Sequence, residues 1–98
     1  MKSTAIQAIE SIKTYINSGP FSHWYTRIAK DPKDRLFNGH AVKENGDLWI
    51  LVPCINSNEA RNAEQYIVGT LGTKGDVGGG DDNSDCVYSY KITNHSRE

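Results

Sequence analysis

Three short strand-like segments, each separated from the next by a helical segment, constrain the fold of this chain more than any other feature. They are rich in aromatic and β-branched residues and cover residues 21–29, 48–52 and 87–93. Apolar residues with helical spacing precede the first strand and return between the strands. The predicted order is α-β-α-β-α-loop-β, without an internal repeat. A chain of 98 residues in this order forms one domain, residues 1–98.

This order predicts a layered α/β or α+β fold, in which helices pack on a small sheet. Residues 48–52 are apolar without a break, so we expect that strand at the centre of the sheet rather than at an edge. The opening helix falls within residues 1–19, and Ser3 is its expected N-cap. Its predicted apolar stripe consists of Ile6, Ile9, Ile12 and Ile16.

Charge and composition exclude several classes of protein. The chain has 11 basic and 12 acidic residues, a net charge of −1, which excludes a polybasic nucleic-acid binder but not a local basic patch. No apolar run approaches the roughly 18 residues of a membrane helix, and the start of the chain leads into a helix rather than a signal peptide. Two cysteines, Cys54 and Cys86, cannot build a disulfide scaffold. We therefore expect a cytoplasmic protein with no membrane partner.

Two further helices have recognisable start signals. Asp31 suits the N-cap and Pro32 the first position of a short second helix that ends near Gly39. Ser57 or Asn58 is the expected N-cap of a third helix that runs to about residue 71. The third helix is the longer of the two.

Glu64 is predicted on the buried side of the third helix. At about 100° per residue it falls in the middle of the arc formed by Ala60, Ala63, Ile67 and Leu71. Burying a carboxylate is costly unless it is paired or bound to a cation. Two interpretations follow: a structural glutamate that meets an arginine or the solvent edge, and a metal ligand.

A basic and aromatic segment covers residues 23–43. Five basic residues against two aspartates give it a local charge of +3, interleaved with aromatic rings. This combination suits a phosphate backbone, although a solvated helix face over core aromatics has the same composition. The basic residues are Arg27, Lys30, Lys33, Arg35 and Lys43.

A glycine- and aspartate-rich loop is predicted at residues 72–86. It is not a phosphate-binding P-loop, because no Gly-Lys-Ser/Thr follows at the required spacing. It is not a calcium loop either, because Cys86 and Ile92 occupy the positions of the required glycine and glutamate. The histidines and cysteines show no zinc-ligand spacing. Tight turns are the expected structure.

The sequence resembles the GIY-YIG endonuclease family over most of its length. Tyr25 on a predicted strand is followed ten residues later by Arg35 near a helix start, as in the second half of the family signature. Residues 60–66 resemble the helix that carries the family's single metal-binding glutamate, which corresponds to Glu64. Similarity to a small phage and bacterial branch lies in the loop 78–82 and the strand 87–91.

The resemblance implies a small three-stranded, mainly antiparallel sheet flanked by helices, and Mg²⁺-dependent hydrolysis of DNA phosphodiester bonds. In this family a tyrosine helps to activate water, an arginine steadies the scissile phosphate and a glutamate holds Mg²⁺. The matching catalytic residues are Tyr25, Arg35 and Glu64, with Glu64 as the metal ligand. The residues expected to bind nucleic acid are Arg27, Lys30, Lys33 and His40.

Two departures from the family pattern leave enzymatic activity open. Arg27 replaces the glycine of the second motif, and the first motif is absent because Tyr15 falls in the opening helix. An alternative interpretation is a catalytically degenerate binding module for DNA or a host protein, such as a phage-encoded inhibitor of a host defence system (anti-CRISPR or anti-restriction). A structural or regulatory domain without a site is a third interpretation.

Overall fold

Helices and strands alternate along the chain in the predicted order. The computed structural model describes residues 2–17, 19–75 and 83–98. Within these residues, no helix has the length and apolar character needed to cross a bilayer. The helices are α1 (Ala5–Ile16), α2 (Pro32–Asp34) and α3 (Ser57–Tyr66), and the strands are β1 (Trp24–Ala29), β2 (Trp49–Pro53) and β3 (Cys86–Lys91).

The first helix, α1, has its N-cap at Thr4, one residue later than the predicted Ser3. The Thr4 hydroxyl accepts from the Gln7 backbone N–H at 3.3 Å, and the Gln7 side chain accepts from the Thr4 N–H at 3.0 Å. The predicted stripe is wrong at Ile6, which is 75% exposed, because the buried stripe follows i, i+4 spacing and position 6 lies off it. The buried residues are Ala8, Ile12 and Ile16.

The sheet has the order β1-β3-β2, and both pairings are antiparallel. This confirms the predicted α+β fold with a three-stranded antiparallel sheet and flanking helices. The prediction that residues 48–52 form the central strand is wrong, because β2 is an edge strand. Its apolar run reflects cover on both faces: Ile50 packs on the core beneath α1 and α3, and Trp49 packs edge-on against Phe37.

The two faces of the sheet bury separate hydrophobic clusters. Side chains alternate along a strand, so Trp24 and Ile28 lie on one face of β1, and Tyr25 and Ala29 on the other. The α1/α3 face buries Ala8, Ile12, Ile16, Trp24, Ile28, Val52, Cys54, Ala60, Ala63, Ile67 and Val87. The α2 face buries Tyr25, Ala29, Leu36, Val42, Tyr88 and Tyr90.

The short helix α2 begins at the predicted residues. The Asp31 side chain accepts from the Asp34 backbone N–H at 3.3 Å, and Pro32 occupies the first helical turn. The helix continues as a π-helical turn, Arg35–Gly39. That turn closes with a 2.7 Å hydrogen bond from the His40 N–H to the Arg35 carbonyl. The wide turn therefore fixes Arg35 and His40 at its two ends.

The third helix, α3, has Asn56 as its N-cap rather than the predicted Ser57 or Asn58. The Asn56 side chain accepts from the Glu59 backbone N–H at 2.9 Å. After Tyr66 the chain forms a second π-helical turn, Ile67–Leu71, which ends where the sequence predicts. The helix packs on the same face of the sheet as α1.

Residues 73–75 run beside the free edge of β1. The Thr26 N–H donates to the Lys74 carbonyl at 2.8 Å, and the Lys74 N–H donates to the Trp24 carbonyl at 2.7 Å. A Cβ at Gly75 would lie 2.5 Å from the Thr26 carbonyl oxygen and 2.8 Å from a Val68 methyl, so only glycine fits there. Residues 76–82 of the predicted loop lie outside the described residues.

Candidate functional site

Two adjoining clefts lie between β1 and the α2 turn. Their volumes are about 320 Å³ and about 150 Å³. Both are lined by Arg27, Ile28 and Arg35, so two guanidinium groups belong to each. The larger cleft is also lined by Ala29, Lys30, Asp31, Asp34 and Ser84, and the smaller cleft by Gly39, His40, Tyr88 and Glu98.

Arg27 reaches both clefts from the edge strand β1. Strand alternation places it with Tyr25 on the α2 face, and its side chain is half-buried. Its Nη1 donates to the Tyr25 hydroxyl at 3.4 Å. That hydrogen bond raises the pKa of Arg27, against the opposing effect of burial, so the guanidinium stays charged in the cleft wall.

Arg35 approaches the same clefts from the α2 turn. Its side chain is exposed. Its backbone is held on both sides, because its N–H donates to the Asp31 carbonyl at 3.3 Å and the neighbouring Leu36 is fully buried. An exposed guanidinium on a held backbone can pair with an anion in either cleft.

Lysines and aspartates modify the charge of the larger cleft. Of the two lysines predicted to bind nucleic acid, Lys30 lines this cleft, whereas Lys33 is exposed and lines neither cleft. The two aspartates are engaged locally: Asp31 caps the helix, and Asp34 accepts from the Asn38 side chain at 2.8 Å. The three basic groups of this cleft thus exceed its two carboxylates by one charge.

His40 lies in the wall of the smaller cleft and is 8% exposed. Its Nε2 is 2.7 Å from the Tyr88 hydroxyl, and its Nδ1 is 2.6 Å from the Arg97 carbonyl oxygen. Burial lowers the pKa of His40 despite the opposing effect of the Arg97 carbonyl, with further lowering by Arg27 and Arg35. Burial also raises the pKa of the Tyr88 phenol. Near neutral pH, both side chains are therefore uncharged.

Glu64 comes from α3 rather than from β1 or the α2 turn. It is fully buried on α3, as its position in the apolar arc predicts, and it lines neither cleft. Tyr25 and Arg35 belong to the α2 side of the sheet, whereas α3 packs on the opposite face. The Glu64 charge still contributes to raising the pKa of Arg27, so the two residues interact electrostatically.

The placement of Glu64 bears on the expected Mg²⁺. Mg²⁺ in nucleotide and phosphodiester sites is held by one or two carboxylates and by substrate phosphates, which requires a carboxylate that substrate can approach. The buried Glu64 does not meet this requirement in the described structure. The described residues also contain no cluster of three or more histidines, cysteines and carboxylates able to hold a metal ion.

Tyr88 is a cleft residue that the site prediction missed. Because side chains alternate along a strand, Tyr88 and Tyr90 lie on the same face of β3, and both are buried on the α2 face. Its contact with His40 joins residues 48 positions apart, so no local pattern signals it. The alternation of Tyr88 and Tyr90 along the strand is the sequence signal that places Tyr88 on the same face of the sheet as the clefts.

Comparison of the chain with protein-family models, with curated proteins and with solved structures finds no match.

Proposed function

We propose that this chain is a GIY-YIG-like, catalytically degenerate module that binds the phosphate backbone of DNA in the two clefts. The observation that carries the proposal is the pair Arg27 and Arg35, which line both clefts from different elements. Guanidinium groups bind phosphate oxygens through paired, charge-assisted hydrogen bonds. Lys30 adds a third positive charge beside them.

Two observations support a binding rather than a hydrolytic role. Arg27 stands where the GIY-YIG family has glycine, and a long side chain takes up space in which backbone and phosphate would approach closely. Glu64, the expected metal ligand, is fully buried. Each change affects a different part of the hydrolytic machinery, and neither removes the positive charge of the clefts.

The binding proposal is tested by fluorescence anisotropy with a labelled DNA oligonucleotide. Replacing either arginine, by Arg27→Gln or Arg35→Gln, should weaken binding about ten-fold or more, because each removes a charge-assisted contact to phosphate. Lys33→Gln is the matched control, since it removes one positive charge of the same segment outside both clefts.

Salt dependence separates cleft binding from general charge attraction. Affinity should fall with salt, and the slope should become shallower by about one in the arginine variants. Equal losses in all three variants would contradict the cleft assignment. An absence of DNA binding at low salt would overturn the proposal and leave a protein partner, such as a host defence component, as the alternative.

A second candidate function is Mg²⁺-dependent endonuclease activity. The observation that favours it is the meeting of Arg35, His40 and Tyr88 in one cleft, with Tyr25 hydrogen-bonded to the cleft residue Arg27. These are the residue types that position phosphate and transfer protons. The test is nicking of supercoiled plasmid with Mg²⁺ or Mn²⁺, expected to disappear in Arg35→Gln. No nicking with either metal overturns this candidate without affecting the binding proposal.

A further inference from the structure

The hydrogen bonds of His40 fix which of its ring nitrogens carries the proton. The Arg97 carbonyl, 2.6 Å from Nδ1, can only accept, so Nδ1 carries the hydrogen. The Tyr90 hydroxyl also donates to that carbonyl, at 3.0 Å. Neutral His40 therefore has a lone pair on Nε2, and the Tyr88 hydroxyl at 2.7 Å must donate to it.

This arrangement decides what Tyr88 offers to the smaller cleft. While Tyr88 donates its only hydrogen to His40, its oxygen presents lone pairs alone, which a phosphate oxygen repels. When His40 is protonated, Nε2 becomes a donor and the Tyr88 oxygen accepts from it. The O–H hydrogen of Tyr88 then points into the cleft, which Arg27 and Arg35 also line.

We propose that Tyr88 is a further phosphate-binding residue of the smaller cleft, and that a proton on His40 converts its hydroxyl from an acceptor into a donor to bound phosphate. This inference rests on the proposed binding of DNA phosphate in the clefts. It predicts that one proton is taken up at His40 when phosphate binds, and that DNA affinity rises as the pH falls.

The groups around His40 agree with this coupling. Arg27 of β1 and Arg35 of the α2 turn oppose a positive charge on His40, and Glu98 favours it. The other neighbours are the aromatic rings of Tyr25, Tyr88 and Tyr90. A phosphate between the two arginines offsets their repulsion, so binding and protonation of His40 favour each other.

The experiment measures affinity for a rhodamine-labelled oligothymidylate without terminal phosphates, between about pH 8 and pH 5. Phosphodiesters and thymine keep their charge in this range, so changes report the protein. Wild-type affinity should rise about ten-fold or more on acidification, because a hydrogen bond to a charged group is gained along with a positive charge. Tyr88→Phe keeps the ring but should lose most of the rise, and His40→Gln should lose all of it.

Control variants exclude the other histidines and simple misfolding. His23→Gln and His95→Gln remove the other two imidazoles, which line neither cleft, and these variants should keep the wild-type rise. Thermal unfolding of each variant is measured at both pH limits, and binding is compared at a temperature at which all variants are folded. A rise that Tyr88→Phe leaves intact would overturn the inference while leaving the DNA-binding proposal standing. An absence of binding at every pH would overturn the binding proposal itself.

A second measurement does not depend on binding. Nitrogen chemical shifts of the imidazole ring should show neutral His40 with the proton on Nδ1 and the lone pair on Nε2. In Tyr88→Phe the Nε2 lone pair loses its donor, so its nitrogen shift should move. A wild-type His40 with the proton on Nε2 would contradict the hydrogen-bond assignment and with it the role of Tyr88.

Discussion

Arg27 has two opposing effects under the proposed resemblance to GIY-YIG enzymes. That resemblance implies a glycine at this position, which lets backbone and phosphate approach, whereas Arg27 contributes a charge that attracts phosphate. Its hydrogen bond to Tyr25 holds the side chain along the strand. Arg27 thus weakens the proposal of hydrolysis and strengthens the proposal of binding.

Gly75 is the residue whose replacement should be least tolerated on the β1 edge. Gly75→Ala should lower the free energy of unfolding by about 1–3 kcal/mol, because the added methyl overlaps the Thr26 carbonyl and a Val68 methyl. Gly69→Ala is the control, since nothing lies within 4 Å of the Cβ it would add. Urea denaturation of both variants checks this prediction, and equal stabilities would contradict it.

Among the secondary-structure elements, α3 begins at the N-cap Asn56, one or two residues before the N-cap predicted from the sequence. Asn56→Ala should cost about 0.5–2 kcal/mol of stability, because the Glu59 N–H loses its 2.9 Å acceptor at the helix start. Asn62→Ala, at an exposed position inside the same helix, should be neutral or slightly stabilising. The pair is compared by chemical denaturation. A loss in Asn62→Ala as large as that in Asn56→Ala would argue against capping.

Helices and strands are predicted from the sequence more accurately than the way they pair and pack in the fold. Helical spacing correctly places Glu64 inward, and the Asp31-Pro32 start of α2 is correct to the residue. The central position predicted for residues 48–52 is wrong, because an apolar run reports burial and not the number of strand partners.

The candidate site was predicted less completely than the fold. Arg27, Lys30, Arg35 and His40 line the clefts, but the contact of His40 with Tyr88 arises only from the tertiary fold.

For the whole molecule, a hydrogen bond between His95 and the Asp47 carboxylate joins the turn before β2 to the segment after β3. A hydrogen bond from the Lys43 backbone N–H lowers the pKa of Asp47, and the hydrogen bond with His95 lowers it further. The ionised carboxylate therefore stabilises the fold above its ordinary pKa of about 4, and this stabilisation is lost as the pH falls through the lowered pKa.

Asp47→Asn should therefore destabilise the fold by up to about 1 kcal/mol near pH 6, a modest value because the pair lies at the surface. The difference from wild type should shrink as the pH falls through the lowered pKa of Asp47, because the carboxylate becomes protonated there. Urea denaturation across this range provides the measurement. A difference that does not change with pH would attribute the loss to packing instead.

The central position of β3 has a consequence for how the chain is made. β1 and β2 do not pair with each other, and both take all their ladder partners within the sheet from β3. On the ribosome β3 is synthesised after both, so the sheet stays open until residues 86–91 emerge. Until then the edges of β1 and β2 are available to other chains. Folding of the sheet is thus a late event of synthesis, and a stop codon before residue 86 would leave neither strand with its partner.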